Sequence, residues 1–199
     1  MPSDDNTVNI NSREGRYHHG DLRSALIGEG LAELETKSPE QVSLREIARR
    51  AGVSATAVYR HFPDKAALLT ALCKVGDERL GEAFRSAMAR AEPGREAFRA
   101  MGQAYVRFAL ANPTLFRMMM TRPDPSAGPG GSDDTQAFAS SILSDALKAL
   151  MPPDATPAER RTKRIQAWAM VHGLAMLMLD GQVPAEDGLI DQVVDTSLL

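Results

Sequence analysis

The residues best equipped for chemistry lie close together between Val42 and Phe62. Ser54, Thr56, Tyr59 and Arg60 offer hydroxyls and a guanidinium, Ala55 offers a methyl surface, and Arg45 adds a second cation. Such groups meet phosphate oxygens and base edges in a major groove. They alternate with an apolar set, Leu44, Ile47 and Ala48 followed by Val53 and Val58. Ala48 is small where two helices would cross, Gly52 permits the left-handed backbone of a sharp turn, and the two valines anchor the second helix on the first. This is the pattern of a helix-turn-helix. An enzyme has less to start from: no HExxH, GxSxG, P-loop or dinucleotide fingerprint is present. The single cysteine, Cys73, excludes an intramolecular disulfide and any multi-cysteine zinc site, and no metal or cofactor is implied.

Charge agrees with this only on the local scale. The 199-residue chain carries a net charge of −3, which predicts no general attraction to nucleic acid or to an anionic membrane. From Ser43 to Lys65, however, five basic residues (Arg45, Arg49, Arg50, Arg60, Lys65) face two acidic ones (Glu46, Asp64), a net of +3. An acidic protein needs such a basic footprint to approach DNA. Arg49 and Arg50 fit a solvated helix face and are set aside as contacts.

The elements that must hold these groups are helices. Apolar residues recur at helical spacing almost throughout, with no sustained alternation, so the expected fold is all-α. Asp21 can cap a first helix that turns Leu22, Leu26, Leu31 and Leu34 inward and ends before Ser38 and Pro39. Ser43 with Glu46 matches a capping box, Ser54 caps the next helix, and Asp64 opens a long amphipathic stretch reaching Arg90. Further helices are predicted over Arg95 to Ala111, Pro113 to Thr121, Thr135 to Leu150, Pro157 to Leu179 and Ala185 to Leu198. The prolines and glycines from Arg122 to Asp134 predict a surface loop. Residues 1–16 are polar and acidic and read as a disordered arm; the longest uncharged apolar run, Ala167 to Leu179, is too short to span a bilayer, and a cytoplasmic protein fits best.

The segments Leu44 to Ala48, Ala51 to Ser54 and Tyr59 to Leu69 together resemble the TetR family of bacterial transcriptional regulators. Gly15 to Arg23, and Trp168 with His172 and Gly173, are similar to a subgroup whose C-terminal domain carries a Trp-x-x-x-His-Gly signature. The resemblance implies a DNA-binding head over residues 17–70, joined by a long helix to an all-helical ligand-binding and dimerisation domain over residues 71–199. It implies contacts to a double-stranded operator from Arg45, Ser54, Ala55, Thr56, Tyr59, His61 and Lys65. For Tyr59 and His61 the residues themselves leave a second option, packing between the third and fourth helices. Few polar groups on the recognition helix imply that DNA shape shares the specificity.

Beyond residue 84 methionine and aromatic residues accumulate. Met101, Tyr105, Phe108, Phe116, Met120, Phe138 and His172 are the candidate lining of a site for a small, largely apolar effector, and the same residues suit a packed core. From Trp168 to Leu179 the helix is apolar all round, so it needs cover on two sides. A twin helix across a two-fold axis is the simplest second cover. The family resemblance implies that this helix and the last one form the dimer interface, with Trp168, Gly173, Met176, Leu179 and Val193 as candidates. His172 can serve as a core histidine, a ligand contact or an interface residue. Two other functions stay open on the residues alone: Cys73 as a redox switch, and a bundle that binds only protein.

Overall fold

A computed structural model of the chain describes residues 22–121 and 138–194, and every regular element among them is helical. The order is α1 (Leu22–Leu34), a single 3-10 turn (Pro39–Gln41), α2 (Leu44–Arg50), α3 (Ala55–His61), α4 (Lys65–Ala89), α5 (Arg95–Ala111), α6 (Pro113–Thr121), α7 (Phe138–Leu150), α8 (Pro157–Leu179) and α9 (Asp187–Val193). The N-terminal arm, the cap expected at Asp21, the loop expected from Arg122 to Asp134, the helix start expected at Thr135 and the tail through Leu198 lie outside the described residues. α9 begins later than the apolar pattern predicts, because Glu186 is extended and acts as its N-cap.

Three helices, α3, α4 and α8, start on a local side-chain cap. Ser54 Oγ accepts from the Ala57 N–H at 3.2 Å, and Asp64 Oδ1 from the Ala67 N–H at 2.7 Å. Thr156 and Glu159 close a reciprocal capping box at the head of α8, with bonds of 3.2 and 2.7 Å. The box expected at Ser43 and Glu46 does not form. The Ser43 N–H that Glu46 would take is bonded instead to Glu33 Oε2, at 3.2 Å, from α1. Glu46 turns to Arg49, accepting at 2.6 and 3.0 Å. Glu33 is fully buried, and its other oxygen accepts from Lys37 Nζ at 2.8 Å.

Two apolar cores result. The N-terminal one gathers Leu26, Leu31, Ile47, Val58, Phe62, Leu68, Leu69 and Leu72 from α1 to α4. Leu115 and Met118, more than forty residues further along on α6, complete it. The C-terminal core holds Leu80 and Phe84 of α4 together with α5, α7, α8, α9 and Phe116 of α6. α4, about 37 Å long at the usual helical rise, therefore runs through both. Fully burying each leucine contributes about 1.5–3 kcal/mol before entropy is counted, so the hydrocarbon dominates both cores.

α4 also meets α7 closely. Gly81 lies directly under the Phe138 ring, leaving no room for a Cβ, and the Arg85 guanidinium covers that ring at 4.1 Å. One helical turn earlier on α4, Asp77 accepts from the Phe138 and Ala139 N–H groups at 2.6 and 3.3 Å, so α4 supplies the N-terminal cap of α7. Burial pushes the Asp77 carboxyl above its ordinary range, against the opposing effect of those two backbone bonds. Cys73 is partly buried against the N-terminal core.

Candidate DNA-contact surface and effector site

The α2–turn–α3 unit is built around backbone as much as side chain. The Val53 N–H bonds to the Ala48 carbonyl at 3.0 Å across the turn, and Gly52 sits at φ 69°, where a Cβ would be strained. Val58 and Ile47 are fully buried, so α3 is keyed to α2 by its inner side. Its outer side is left to solvent: Ser54, Ala55, Thr56, Tyr59 and Arg60 are all exposed, and so is Arg45 on α2. Tyr59 is 47% exposed, which separates it from the packing alternative. Ser54 uses an oxygen lone pair in its cap, and its O–H proton remains free to donate. His61 is only partly buried.

The cations divide into two groups. Arg49 is paired with Glu46, and Arg50 Nε with Glu29 at 2.7 Å. Arg45 and Arg60 have no ion-pair partner among the described residues. Arg60 thus joins the exposed set, although sequence reasoning had placed it on that face without counting it as a contact. Lys65 is partly committed, since its Nζ donates to the Glu40 carbonyl at 2.6 Å and ties the 3-10 turn to the start of α4. Two of its three N–H donors remain.

In the C-terminal core the candidate effector residues do not form one lining. Tyr105, Phe116, Met120 and His172 converge, with the Tyr105 and Phe116 rings edge to face at 5.5 Å. Met101 is buried in the same core; Phe108 lines an open groove between α4 and α5 with Ala83, Ala87 and Ala104. Phe138 is held between Gly81 and Arg85. The focus of the cluster is the Tyr105 hydroxyl. Trp168 Nε1 donates to it at 3.1 Å, and it lies 3.0 Å from His172 Nδ1. Trp168 and His172, one turn apart on α8, thus form with Tyr105 of α5 a single hydrogen-bonded group. Burial pushes the Tyr105 phenol up to about 12, and burial lowers His172 from its ordinary value, so both are neutral near pH 7.

The indole N–H of Trp168, an interface candidate by sequence, is therefore spent inside the chain. Met176 and Leu179 are partly buried against the C-terminal core, and Val193 is 39% exposed. A Cβ at Gly173 would touch nothing within 4 Å. The outward side of α8 carries Ile165, Ala169, Gly173 and Leu177, with Ile165 44% and Leu177 41% exposed. Three of these four were missed from sequence. Their four-residue spacing was the available signal, hidden by a helix apolar on every side.

Residues 26–72 match the family described as bacterial regulatory proteins, tetR family, and residues 98–198 match the tetracyclin repressor-like C-terminal domain. An uncharacterised HTH-type transcriptional regulator of Mycobacterium tuberculosis is 28% identical over 153 residues, 76% of this chain and 72% of that protein. Among solved structures, a protein of unknown function from Rhodococcus sp. RHA1 is 33% identical with a TM-score of 0.73, covering 91% of this chain and 93% of its own. A tetR-family transcriptional regulator from Streptomyces coelicolor is 25% identical with a TM-score of 0.63, covering 89% of this chain and 79% of its own.

Proposed function

The chain belongs to the TetR family of bacterial transcriptional regulators, DNA-binding proteins and not enzymes, and on that premise we propose that it is a homodimeric repressor released from its operator by a small, largely apolar effector. Residues 17–70 form the DNA-binding head and residues 71–199 the effector-binding and dimerisation domain. Arg45, Ser54, Ala55, Thr56, Tyr59, His61 and Lys65 meet the operator, together with Arg60. The observation that carries this reading is α6, whose Leu115 and Met118 sit in the core beneath the helix-turn-helix while its Phe116 touches the Tyr105–His172 group. A displacement at one end of this short helix must be accommodated in both cores.

Dimerisation uses the Ile165, Ala169, Gly173 and Leu177 ridge of α8, with Trp168, Met176, Leu179 and Val193 at its margins. Ridges spaced by four residues interdigitate at about −50°, and the bare Gly173 lets the two axes approach. A two-fold dimer then offers two α3 helices to half-sites about 34 Å apart, one turn of DNA. An effector that prefers another head separation shifts the population toward the unbound form, by as much as its differential affinity allows. Such a protein works in the cytoplasm, and among the described residues no helix is long and apolar enough to cross a membrane.

Footprinting on DNA flanking the chain's own gene tests the proposal, with sedimentation of the wild type and of Leu177→Arg in parallel. A protected, two-fold symmetric site and a monomeric, non-binding Leu177→Arg are expected. A dimeric Leu177→Arg, or no protected site, refutes the corresponding half. Tyr59→Ala is expected to weaken operator binding about tenfold, or about 1.4 kcal/mol, with stability unchanged.

A further inference from the structure

We infer that His172 is a hydrogen-bond donor to the effector, presenting Nε2–H to a small uncharged molecule that carries a carbonyl-type acceptor on an apolar or aromatic body. This rests on the reading of the C-terminal core as an effector site and goes beyond it by fixing the ligand's polar group.

The direction of the hydrogen-bond chain sets the tautomer. Indole nitrogen can only donate, so the Tyr105 oxygen accepts from Trp168, and the Tyr105 O–H proton must go elsewhere. Two acceptors are in reach: His172 Nδ1 at 3.0 Å and the Met120 sulfur at 3.8 Å. A thioether is a weak acceptor, whereas an imidazole nitrogen at 3.0 Å is a strong one. Nδ1 therefore accepts, and the neutral ring carries its proton on Nε2. The opposite tautomer would set the Nδ1–H against the Tyr105 oxygen and leave the phenol proton only the sulfur.

Among the described residues the His172 ring bonds only through Nδ1, and the residue is partly buried, so its Nε2–H is open to solvent or to a ligand. The Phe116 and Trp168 rings tilt over the imidazole, at 5.8 Å and 36° and at 5.2 Å and 33°. Both rings are neighbours of the imidazole and bring only apolar surface beside it, apart from the indole N–H already given to Tyr105. A ligand that replaces solvent at this donor must bring an acceptor, and the neighbouring Phe116 and Trp168 rings suit an apolar remainder. A cation would meet the positive edge of the ring. A carboxylate would need a counter-charge, and Arg107 of α5 and Arg117 of α6 are matched already, with Asp187 and Asp191 and with Asp180. A neutral acceptor remains. The depressed basicity of His172 agrees with a ring that stays uncharged.

The test uses the full chain labelled with nitrogen-15 at its four histidines, with the His172 ring assigned by its loss in His172→Phe. The ring nitrogens should report a neutral Nε2–H tautomer at neutral pH. Acetophenone should shift the Nε2 resonance on titration, whereas α-methylstyrene, which replaces the carbonyl oxygen by a methylene of similar shape, should bind at least tenfold more weakly. His172→Phe, which keeps the ring but not the donor, should abolish that preference; its circular dichroism and melting confirm folding. An Nδ1–H tautomer, equal affinities for the two probes, or no binding of either up to the solubility limit overturns the inference. So does an Nε2 shift that follows protein concentration instead of the ketone, which would make His172 an interface group. Binding is read without DNA: a ketone that binds but leaves the operator occupied refutes the release mechanism alone, whereas release by both probes equally refutes the inference alone.

Discussion

Among the described residues each of the two cores has a fully or largely buried polar node, and the nodes differ in what they hold. In the N-terminal core it is the Glu33 carboxylate, which grips the backbone N–H of Ser43 and the ammonium of Lys37. In the C-terminal core it is the Tyr105 hydroxyl, which grips only side chains, the indole of Trp168 and the imidazole of His172. A bond to backbone fixes where a helix starts, and here it sets the entry of α2 and so the angle at which α3 is offered. Bonds among side chains fix only rotamers, which repack at smaller cost. The molecule has placed a rigid device under the surface that must present one shape and an adjustable device where a second state would be needed.

The largest way to break this contrast is Glu33→Ala. It orphans the Ser43 N–H and leaves Lys37 unpaired; because Lys37 is partly exposed, the loss belongs at the low end for a broken buried pair, about 3 kcal/mol in a urea titration. Operator binding should fall with it, and Glu33→Gln, which keeps an acceptor for Ser43, should recover most of both. A Glu33→Ala protein of unchanged stability would mean that the carboxylate positions nothing. Next comes Tyr105→Phe, expected to cost about 2 kcal/mol by leaving the Trp168 N–H and His172 Nδ1 without partners. Operator affinity should stay within about twofold of wild type at temperatures where the chain is folded, a difference below roughly 0.5 kcal/mol. Equal damage to DNA binding would show that the two nodes are not separable.

Smaller again is Lys65→Met. If its ammonium also meets one phosphate, the slope of log affinity against log salt drops by about 0.9. An unchanged slope would make Lys65 a strut to Glu40 only. The smallest effect is the pH dependence of Asp77. Its carboxyl binds a proton more tightly in the folded chain than in the unfolded one. Native protein therefore holds more protons as pH falls through that raised value toward the ordinary range, and stability is gained there, then lost as pH rises again. Relative to Asp77→Asn, the wild type should gain stability on going from neutral to mildly acidic pH; a slope of opposite sign would contradict the desolvation account.

Much of this was legible in the sequence because the relevant physics is local. The caps at Ser54 and Asp64, the turn at Gly52 and the proline stops each act within a few residues. The outward set of α3 followed from the same short-range pattern. The expected box at Ser43 was a true local signal that lost to a competitor on another helix, since Glu33 reaches the same N–H from α1. The four-residue signature of Trp168 and His172 was visible, but its meaning depended on Tyr105, which only the packing of α5 against α8 brings to them. On α8 the outward ridge could not be chosen, because from Trp168 to Leu179 apolar residues fall on every side of the helix and leave the hydrophobic pattern without a direction.

The placement of Leu115 and Met118 reaches past regulation to the folding of the chain. Residues 26–72, the stretch recognisable as a unit by similarity, do not close their own core; α6 supplies the last wall. Excising the helix-turn-helix with α4 alone would bare apolar surface on α1 and α4. The amides of α1 should therefore exchange with solvent in the same cooperative unit as those of α6, so that the part that binds DNA inherits its lifetime from the part that does not.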